Sequence, residues 1–387
     1  MGRTILLTGV DGYMGWPTFL KLGRAFPDAR IVGVDNYNRR KWVEEVGSVS
    51  AIPVPDMNER LATARGLGYT NLEFIEGDLV DIPFVKGLVA DVRPDVILHL
   101  AAQPSAPYSH INLEKAAYTQ DLNMAMTRNL LWALREAGMT GVHFIETTTT
   151  GIYGAPSFAI PEGFITMVGA DGNSQELPYP NLATSWYHVS KGYNATNMQL
   201  MNFQTKMPIT DIRTSIVFGA LTREMAEHES FASRFDFDFF FGTLFNRWCS
   251  MAVIDMPLTI YGTGQQIKPF ISLEDACQSL VEAVRLENPG EYRIYNQLTI
   301  FSSIKEMAEA IASDAERLLG KKGELTFIPN PRVEVEDTTY SFSNDRFLAL
   351  LGKKPQEMHE VISESITLLG KYQERILAHK DSFMTKK

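Results

Sequence analysis

The chain has 387 residues, 45% of them hydrophobic and 21% charged, a balance that argues against a disordered chain and predicts about two globular domains. Its 36 basic and 46 acidic residues give a formal net charge of −10, which excludes a general affinity for nucleic acid or anionic membranes. The two cysteines, Cys249 and Cys277, are too few for a disulfide framework or a structural zinc site, and the seven histidines lack metal-ligand spacing, so we expect no built-in metal.

The first hundred residues alternate between short apolar runs and a run with helical periodicity. We predict strands over 3–9, 29–35, 71–78 and 94–102, and a helix over 13–26 between the first two. Strands that alternate with helices form parallel sheets covered on both faces. The sequence therefore predicts an α/β fold with a doubly wound parallel sheet.

The middle of the chain predicts two more strands and two long helices. The strands are expected over 141–148 and 210–219, and the helices over 112–138 and 185–205. The segment 155–184 is rich in Pro, Gly and Asn, and we interpret it as a loop over the sheet edge.

Beyond Gly219 the sequence pattern changes, with an aromatic segment, then mixed strands and turns, then a mostly helical tail. We predict a first domain over 1–220, with return segments near 270–300, and a smaller mixed α/β domain over 221–387. No apolar run reaches the ~18 residues of a membrane span. Strand-like sequence begins at Arg3, so we expect no signal peptide and a cytoplasmic location, or an organellar stroma if a transit peptide has been removed.

A glycine-rich turn follows the first predicted strand. The sequence TGVDGYMG places Gly9, Gly12 and Gly15 between that strand and a helix. Glycines at such a turn let backbone N–H groups approach a pyrophosphate, and the helix N-terminus favours the negative charge. The alternative is an ordinary tight turn.

Two acidic residues end the next two predicted strands. Asp35 lies 20 residues after Gly15, where a carboxylate accepts hydrogen bonds from ribose hydroxyls and repels a 2′-phosphate. This favours NAD, while Arg39 and Arg40 leave NADP as an alternative. Asp78 is placed to accept from an adenine amino group or, alternatively, to cap a helix.

The sequence YHVSK places Tyr187 and Lys191 on one helical face, four residues apart. A phenol is a poor base at neutral pH, and a neighbouring ammonium together with an oxidised nicotinamide favours the phenolate. The run Thr147–Thr150 ends a predicted strand and offers a hydroxyl to hydrogen-bond a reacting oxygen. This combination predicts oxidation of an alcohol, although Tyr–Lys pairs also occur on ordinary helices.

These motifs, in this order, resemble the extended short-chain dehydrogenase/reductases, the group of nucleotide-sugar epimerases and dehydratases. Within that group the chain is most similar to the UDP-sulfoquinovose synthases. The matching segments extend along nearly the whole chain: 8–16, 34–40, 105–109, 118–123, 177–191, 241–248, 295–299 and 329–336.

The resemblance implies a Rossmann domain that retains NAD and a C-terminal domain that closes on a nucleotide sugar, with UDP-glucose favoured. In such enzymes the C4 hydroxyl is oxidised, the 6-hydroxyl is eliminated, sulfite adds at C6 and C4 is reduced again. By position, Thr149 matches the catalytic threonine, Tyr187 the base and Lys191 its partner. His188 matches a residue suited to proton transfer or anion binding, or is an ordinary helix-surface histidine.

Further site residues follow from the same resemblance. To the cofactor site we assign Tyr13, Met14, Asn36, Arg39, Leu79, Ala101 and Asn123, in addition to the glycines, Asp35 and Asp78. To the substrate site we assign Gln103, Arg247, Gln265, Gln297 and Arg332, the last because a guanidinium offers forked donors to a diphosphate. A homodimer that packs the helices near 113–137 and 185–205 against their copies is also expected.

The chain departs from the synthase pattern at two positions. Pro104 stands where we expect an arginine suited to sulfite, and Ile152 where we expect a glutamate. The Asp-Glu pair of the 4,6-dehydratases is replaced by Thr150 and Gly151, which resembles the 4-epimerases. A 4-epimerase is therefore the alternative enzyme, and a non-catalytic dinucleotide-binding protein is the alternative of another class.

Overall fold

The computed structural model describes residues 2–154, 156, 158–179, 181–329 and 341–384. In these ranges the strands are β1 (Thr4–Thr8), β2 (Arg30–Asp35), β3 (Leu72–Glu76), β4 (Val96–His99), β5 (His143–Thr149), β6 (Phe164–Val168), β7 (Ser174–Pro178), β8 (Ile209–Thr214), β9 (Ile216–Phe218), β10 (Leu258–Tyr261), β11 (Ile267–Ser272), β12 (Tyr292–Gln297), β13 (Ile300–Ser303) and β14 (Leu325–Ile328).

The α-helices of the same ranges are α1 (Gly15–Ala25), α2 (Asn38–Glu45), α3 (Met57–Gly66), α4 (Ile82–Val92), α5 (Leu113–Glu136), α6 (Trp186–Thr205), α7 (Leu244–Val253), α8 (Leu273–Arg285), α9 (Ile304–Leu319), α10 (Asp345–Leu351), α11 (Met358–Leu369) and α12 (Gln373–Ala378).

Seven strands of the described chain form one parallel sheet in the order β12-β8-β5-β4-β1-β2-β3. The chain proceeds outward from β1 to β3 and then returns to place β4 on the other side of β1. The direction of winding therefore reverses between β1 and β4, and in such sheets ligands bind beyond the carboxyl ends of the strands at that point.

Helices cover both faces of this sheet. On one face, Trp16 and Phe19 of α1 pack with Leu280 of α8 in one core. On the other face, Leu130 of α5 and Met198 of α6 pack in a second core with helix α4. The predicted doubly wound, Rossmann-type α/β fold is confirmed, as are the strands and long helices predicted up to residue 205.

A smaller set of elements lies beside the sheet. It contains the sheets β13-β11-β9 and β10-β14, and helices α7, α9 and α11 pack there around a core that includes Trp248 and Ile311. Strand β12 and helix α8 instead join the large sheet and its core. The domain boundary near residue 220 stays a prediction. No helix in the described part of the chain is long and apolar enough to cross a membrane.

Two predicted elements are wrong. The predicted loop 155–184 contains the antiparallel hairpin β6–β7, which turns at Asp171 and Gly172, where Asp171 accepts from the backbone of Asn173 and Gly172 has φ +79°. An Asp-Gly pair between two short strands is a hairpin signal that the loop-like composition concealed. The strand predicted over 210–219 is two strands, because the chain leaves the large sheet at Ser215 and pairs with β11 as β9.

Candidate active site

A cavity of about 1250 Å³ extends along the carboxyl ends of the central strands. It begins at the glycine turn between β1 and α1. Gly9 has φ +81°, and a Cβ atom on Gly15 would lie 1.9 Å from the Gly9 carbonyl oxygen. The backbone can take this shape only with glycine at both positions, and it leaves space at the N-terminus of α1 for a pyrophosphate.

Asp35, the last residue of β2, lines the cavity beside the glycine turn. Its carboxylate accepts from the backbone N–H groups of Asp11 at 2.9 Å and Tyr37 at 2.7 Å. Burial, and secondarily the neighbouring Asp11 carboxylate, raise the pKa of Asp35 to about 6. The carboxylate is therefore oriented and ionised at neutral pH, as a ribose acceptor requires.

The two arginines that left NADP open are both paired with carboxylates. Arg40 donates twice to Asp11 at 2.7 Å, and Arg39 contacts Asp236 at 2.7 Å. Their charges balance buried acids of this region. A 2′-phosphate would have to share them and would also face Asp35, so the geometry favours NAD.

Three residues of helix α6 line the cavity: Tyr187, His188 and Lys191. Ser185 caps the helix by accepting from the His188 backbone N–H at 3.1 Å. At the end of β5, the Thr149 hydroxyl accepts from the Gly151 backbone N–H at 3.1 Å and lines the same cavity. The strand end and the helix thus place a hydroxyl, a phenol and an ammonium around one space.

The positive charge of Lys191 is balanced by Glu146 on strand β5. Its Nζ lies 3.1 Å from Glu146 Oε1, and both side chains are buried. Burial raises the pKa of Tyr187, the Glu146 charge raises it further, and Arg39 opposes this. The lowering of the phenol pKa that the sequence led us to expect from Lys191 is therefore not a property of the protein alone.

His188 lies against the backbone of Gly151. A Cβ atom on Gly151 would lie 2.4 Å from His188 Nε2 and 2.7 Å from its Cε1. Nδ1 of the imidazole is buried and has no hydrogen-bond partner among the described residues. Burial, with His110 and Lys268 nearby, lowers the pKa of His188 to about 4, so the imidazole is neutral at physiological pH.

Comparison with known proteins identifies the family. The NAD dependent epimerase/dehydratase family matches residues 5–296. The chain belongs to this family.

Two relatives are similar over nearly the whole chain. The UDP-sulfoquinovose synthase of Sulfolobus acidocaldarius is 37% identical over 99% of this chain and 96% of its own length. The chloroplastic UDP-sulfoquinovose synthase of Spinacia oleracea is 35% identical over 97% of this chain and 77% of its own length. Among solved structures, the UDP-glucose-4-epimerase of Stenotrophomonas maltophila has a TM-score of 0.73 at 17% identity, covering 97% of this chain and 99% of its own, and shows the shared fold.

Within this family fold, most of the sequence-predicted residues meet in the cavity. The predicted residues that line it are Gly9, Gly12, Tyr13, Met14, Gly15, Asp35, Asn36, Arg39, Leu79, Ala101, Thr149, Tyr187, His188, Lys191 and Arg247. Their individual roles stay predictions.

Of the predicted residues that the structure describes, five do not line the cavity: Asp78, Gln265, Gln103, Asn123 and Gln297. The Asp78 carboxylate accepts from the backbone N–H of Val80 and does not line the cavity. Asp78 does not cap the following helix α4 either, because the N-cap of that helix is Asp81. Gln265 is exposed, and its neighbour Gln266 lines the cavity instead. Arg332 lies outside the described residues.

The remaining three are buried and hold other groups. Asn123 connects the loop after β4 to helix α6. Its side chain accepts from the Gln103 backbone N–H, donates to the Gln103 carbonyl oxygen, and donates to Ser190 Oγ at 2.9 Å. Gln103 bonds Ser105 within that loop, and Gln297 donates to Ser279 on α8. These side chains support the site without facing it.

Sequence reasoning missed four polar residues of the site. Glu146 and Lys268 are single charges inside apolar strand sequences, a pattern that could have indicated a functional position. His110 and Gln266 carried no comparable signal. Lys268, His110 and Gln266 line the cavity.

The departures from the synthase pattern differ in importance. Pro104 lines the cavity, so the expected cation is absent from that position. Ile152 is fully buried and does not line the cavity. Within the described ranges, no group of His, Cys, Asp and Glu residues is arranged to hold a metal ion.

Proposed function

We propose that the protein is a UDP-sulfoquinovose synthase, which converts UDP-glucose and sulfite into UDP-sulfoquinovose and water with NAD retained. The observation that carries the proposal is the placement of Thr149, Tyr187, Lys191 and His188 around one space next to the glycine turn. Similarity of 35–37% to two UDP-sulfoquinovose synthases over nearly the whole chain supports it.

The residues of the cavity fit NAD. The turn at Gly9, Gly12 and Gly15 would hold the pyrophosphate, and Asp35 would accept the ribose hydroxyls. When bound, NAD accepts a hydride from the C4 carbon of the sugar and returns it. We assign this site to a first domain over 1–220 and the sugar site to the remainder.

Tyr187 would accept the proton of the C4 hydroxyl, and the Thr149 hydroxyl would hydrogen-bond the same oxygen. Lys191 supplies a positive charge at the level of the phenol, and Glu146 fixes it there. The phenolate is reached at neutral pH only when further positive charge lies in the cleft, because burial and Glu146 oppose it.

His188 would serve the elimination. Once C4 is a ketone, the C5 hydrogen is acidic, and a neutral imidazole is a competent base for it. Protonated His188 could then give the proton to the leaving 6-hydroxyl, which departs as water. Because Gly151 has no side chain, the imidazole occupies the space where the dehydratases carry an acid.

Basic side chains near His188 suit the anionic partners. His110 and Lys268 line the cavity and lie close enough to His188 to lower its pKa. We assign Arg247 and Lys268, with Arg332 outside the described residues, to the diphosphate of the sugar nucleotide. His110 and His188 would then receive sulfite, whose sulfur bonds C6 while C5 takes a proton that comes from solvent, before C4 is reduced again.

The alternative function is a nucleotide-sugar 4-epimerase. Pro104 favours it, because this cavity-lining residue offers sulfite neither charge nor donor. An epimerase needs the C4 steps alone, and these require Thr149, Tyr187 and Lys191.

Mass spectrometry separates the two functions. Purified protein incubated with UDP-glucose and isotopically labelled sulfite should yield a UDP-sugar carrying the label at C6. Formation of the C4 epimer without sulfite would establish the alternative. If neither product forms, UDP-glucose is the wrong substrate, and the nucleotide sugar that copurifies with the protein should be identified.

We further propose a homodimer formed through α5 and α6. These packed helices expose large apolar side chains to solvent: Leu113, Tyr118, Trp132, Trp186, Tyr193, Leu200 and Phe203. Burial of such a face against a copy would give a four-helix bundle. Cys249 and Cys277 are free and buried, which agrees with a reducing compartment such as the cytoplasm.

A further inference from the structure

Glu146 is a fully buried carboxylate in the central strand β5. It does not line the cavity, and it lies directly beneath the side chain of Lys191, which does. Removing a carboxylate from water is costly, and a buried ion pair adds little stability compared with apolar residues of the same size. Stability therefore does not explain an acid at this position.

Its contacts come from both long helices. Oε1 accepts from Lys191 Nζ at 3.1 Å and from Asn194 Nδ2 at 2.7 Å, both on α6. Oε2 accepts from the Thr127 hydroxyl at 3.0 Å on α5. Hydrogen bonds therefore hold both oxygens of the Glu146 carboxylate, so the group keeps one orientation when the Lys191 side chain moves.

This arrangement limits where the ammonium of Lys191 can go. A lysine side chain has several rotatable bonds and loses much conformational freedom when it is held in one place. The Glu146 carboxylate holds Lys191 Nζ next to strand β5. Lys191 lies one helix turn after Tyr187 on α6. The Lys191 ammonium is therefore placed before any ligand enters.

We propose that Glu146 is a positioning residue for catalysis: it fixes the ammonium of Lys191 on the helix turn that carries Tyr187, and it balances the charge of that ammonium. The proposal rests on the proposed function only in taking Tyr187 as the base.

The charged and titratable groups around the Tyr187–Lys191 pair come from several elements. Glu146 on β5 raises the pKa of Tyr187, whereas Arg39 on α2 lowers it. His99 on β4 is buried near Lys191, and burial together with that ammonium keeps its pKa well below the usual range, so it contributes no charge. His188 and His110 line the same cavity. Glu146 is therefore the dominant negative charge acting on the phenol.

The test is the variant Glu146→Gln, purified with its bound NAD. An amide of the same shape keeps hydrogen-bonding capacity but removes the negative charge. The phenol should then titrate at lower pH by about one unit, as expected when a carboxylate close to it is neutralised. The phenolate absorbance of Tyr187, isolated by subtracting a Tyr187→Phe background in each protein, measures this shift without any substrate.

The same shift should appear in the reaction. With UDP-glucose, the acidic limb of the pH profile for nicotinamide reduction should move to lower pH, and the plateau rate should fall because Lys191 is less well fixed. Thr127→Val is the matched control, since it removes a contact to the same carboxylate without changing charge and should leave the limb in place. Glu146→Asp keeps the charge and should retain the original limb.

The outcomes separate the two proposals. An unchanged phenol titration in a folded Glu146→Gln protein would overturn the positioning role, whatever the substrate is. A lower plateau with an unmoved limb would also overturn it, because a structural role alone predicts that pattern. A shifted titration with no sulfonated product would support the role of Glu146 and reject the proposed function.

Discussion

Replacing Gly151 with alanine should separate the C4 step from the steps that follow it. The added methyl would lie 2.4, 2.5 and 2.7 Å from three atoms of the His188 ring, whereas carbon contacts need about 3.5 Å or more. The ring must therefore move by about 1 Å into the open cavity. Gly151 does not have a positive φ, so alanine itself is tolerated by the backbone.

The Gly151→Ala substitution should lower the rate of sulfite incorporation rather than the stability of the fold. The displaced group is a side chain bordering a cavity, and a displacement of about 1 Å at a reacting group lowers a rate by about 10²-fold. We expect incorporation of labelled sulfite to fall by about that factor. Single-turnover reduction of nicotinamide by UDP-glucose, which needs Tyr187 and Thr149, should remain within a few-fold of the parent.

Gly87→Ala is the control, because a Cβ atom at this position in α4 meets nothing within 4 Å. It should leave both rates unchanged. Full sulfite incorporation by the Gly151→Ala protein would refute the assignment of His188 to the elimination. Equal loss of both rates would place His188 in the C4 step instead.

Three further predictions concern the base, the cofactor and the assembly. Tyr187→Phe should lower nicotinamide reduction by about 10²- to 10⁴-fold and keep bound NAD, which absorbance and mass spectrometry measure; loss of NAD would assign the phenol to binding instead. NAD affinity should weaken as pH falls through about 6, because Asp35 is ionised above that pKa and a protonated carboxyl is a poorer acceptor for the ribose hydroxyls. The Asp35→Asn protein should bind NAD more weakly than the parent, and its affinity should not depend on pH in this range. A parent protein whose NAD affinity is the same above and below pH 6 would contradict this. Phe203→Glu on α6, where the side chain is 78% exposed, should give a monomer by analytical ultracentrifugation, whereas Leu377→Glu on α12 should not; an unchanged sedimentation coefficient for both would reject the α5–α6 interface.

The parallel sheet and its glycine turn could be predicted because local chemistry specifies them. Gly9 and Gly15 are required by a positive φ and a close backbone approach, and apolar strands alternate with helical periodicity up to α6. Tyr187 and Lys191 share a helical face by spacing alone. These features need no knowledge of distant contacts.

Features set by distant contacts could not be predicted in the same way. The break at Ser215 depends on β11, which comes more than fifty residues later, and the apolar run across it gives no local signal. The difference between Gln265 and Gln266 depends on which of two adjacent glutamines faces the cavity. The pairing of Lys191 with Glu146 joins a helix to a strand 45 residues earlier. The Glu146 charge adds to the rise in the pKa of Tyr187 that burial causes, and neither effect can be read from the spacing of Tyr187 and Lys191.

The fate of hydrogen in UDP-glucose deuterated at C4 tests the central claim most directly. In ordinary water with sulfite, the sulfonated product should keep the deuterium at C4, because the carbon is oxidised and reduced within one cavity. In heavy water, unlabelled UDP-glucose should give a product that carries deuterium at C5. Loss of the C4 label, or a product that retains its original C5 hydrogen in heavy water, would contradict the sequence of oxidation, elimination and addition.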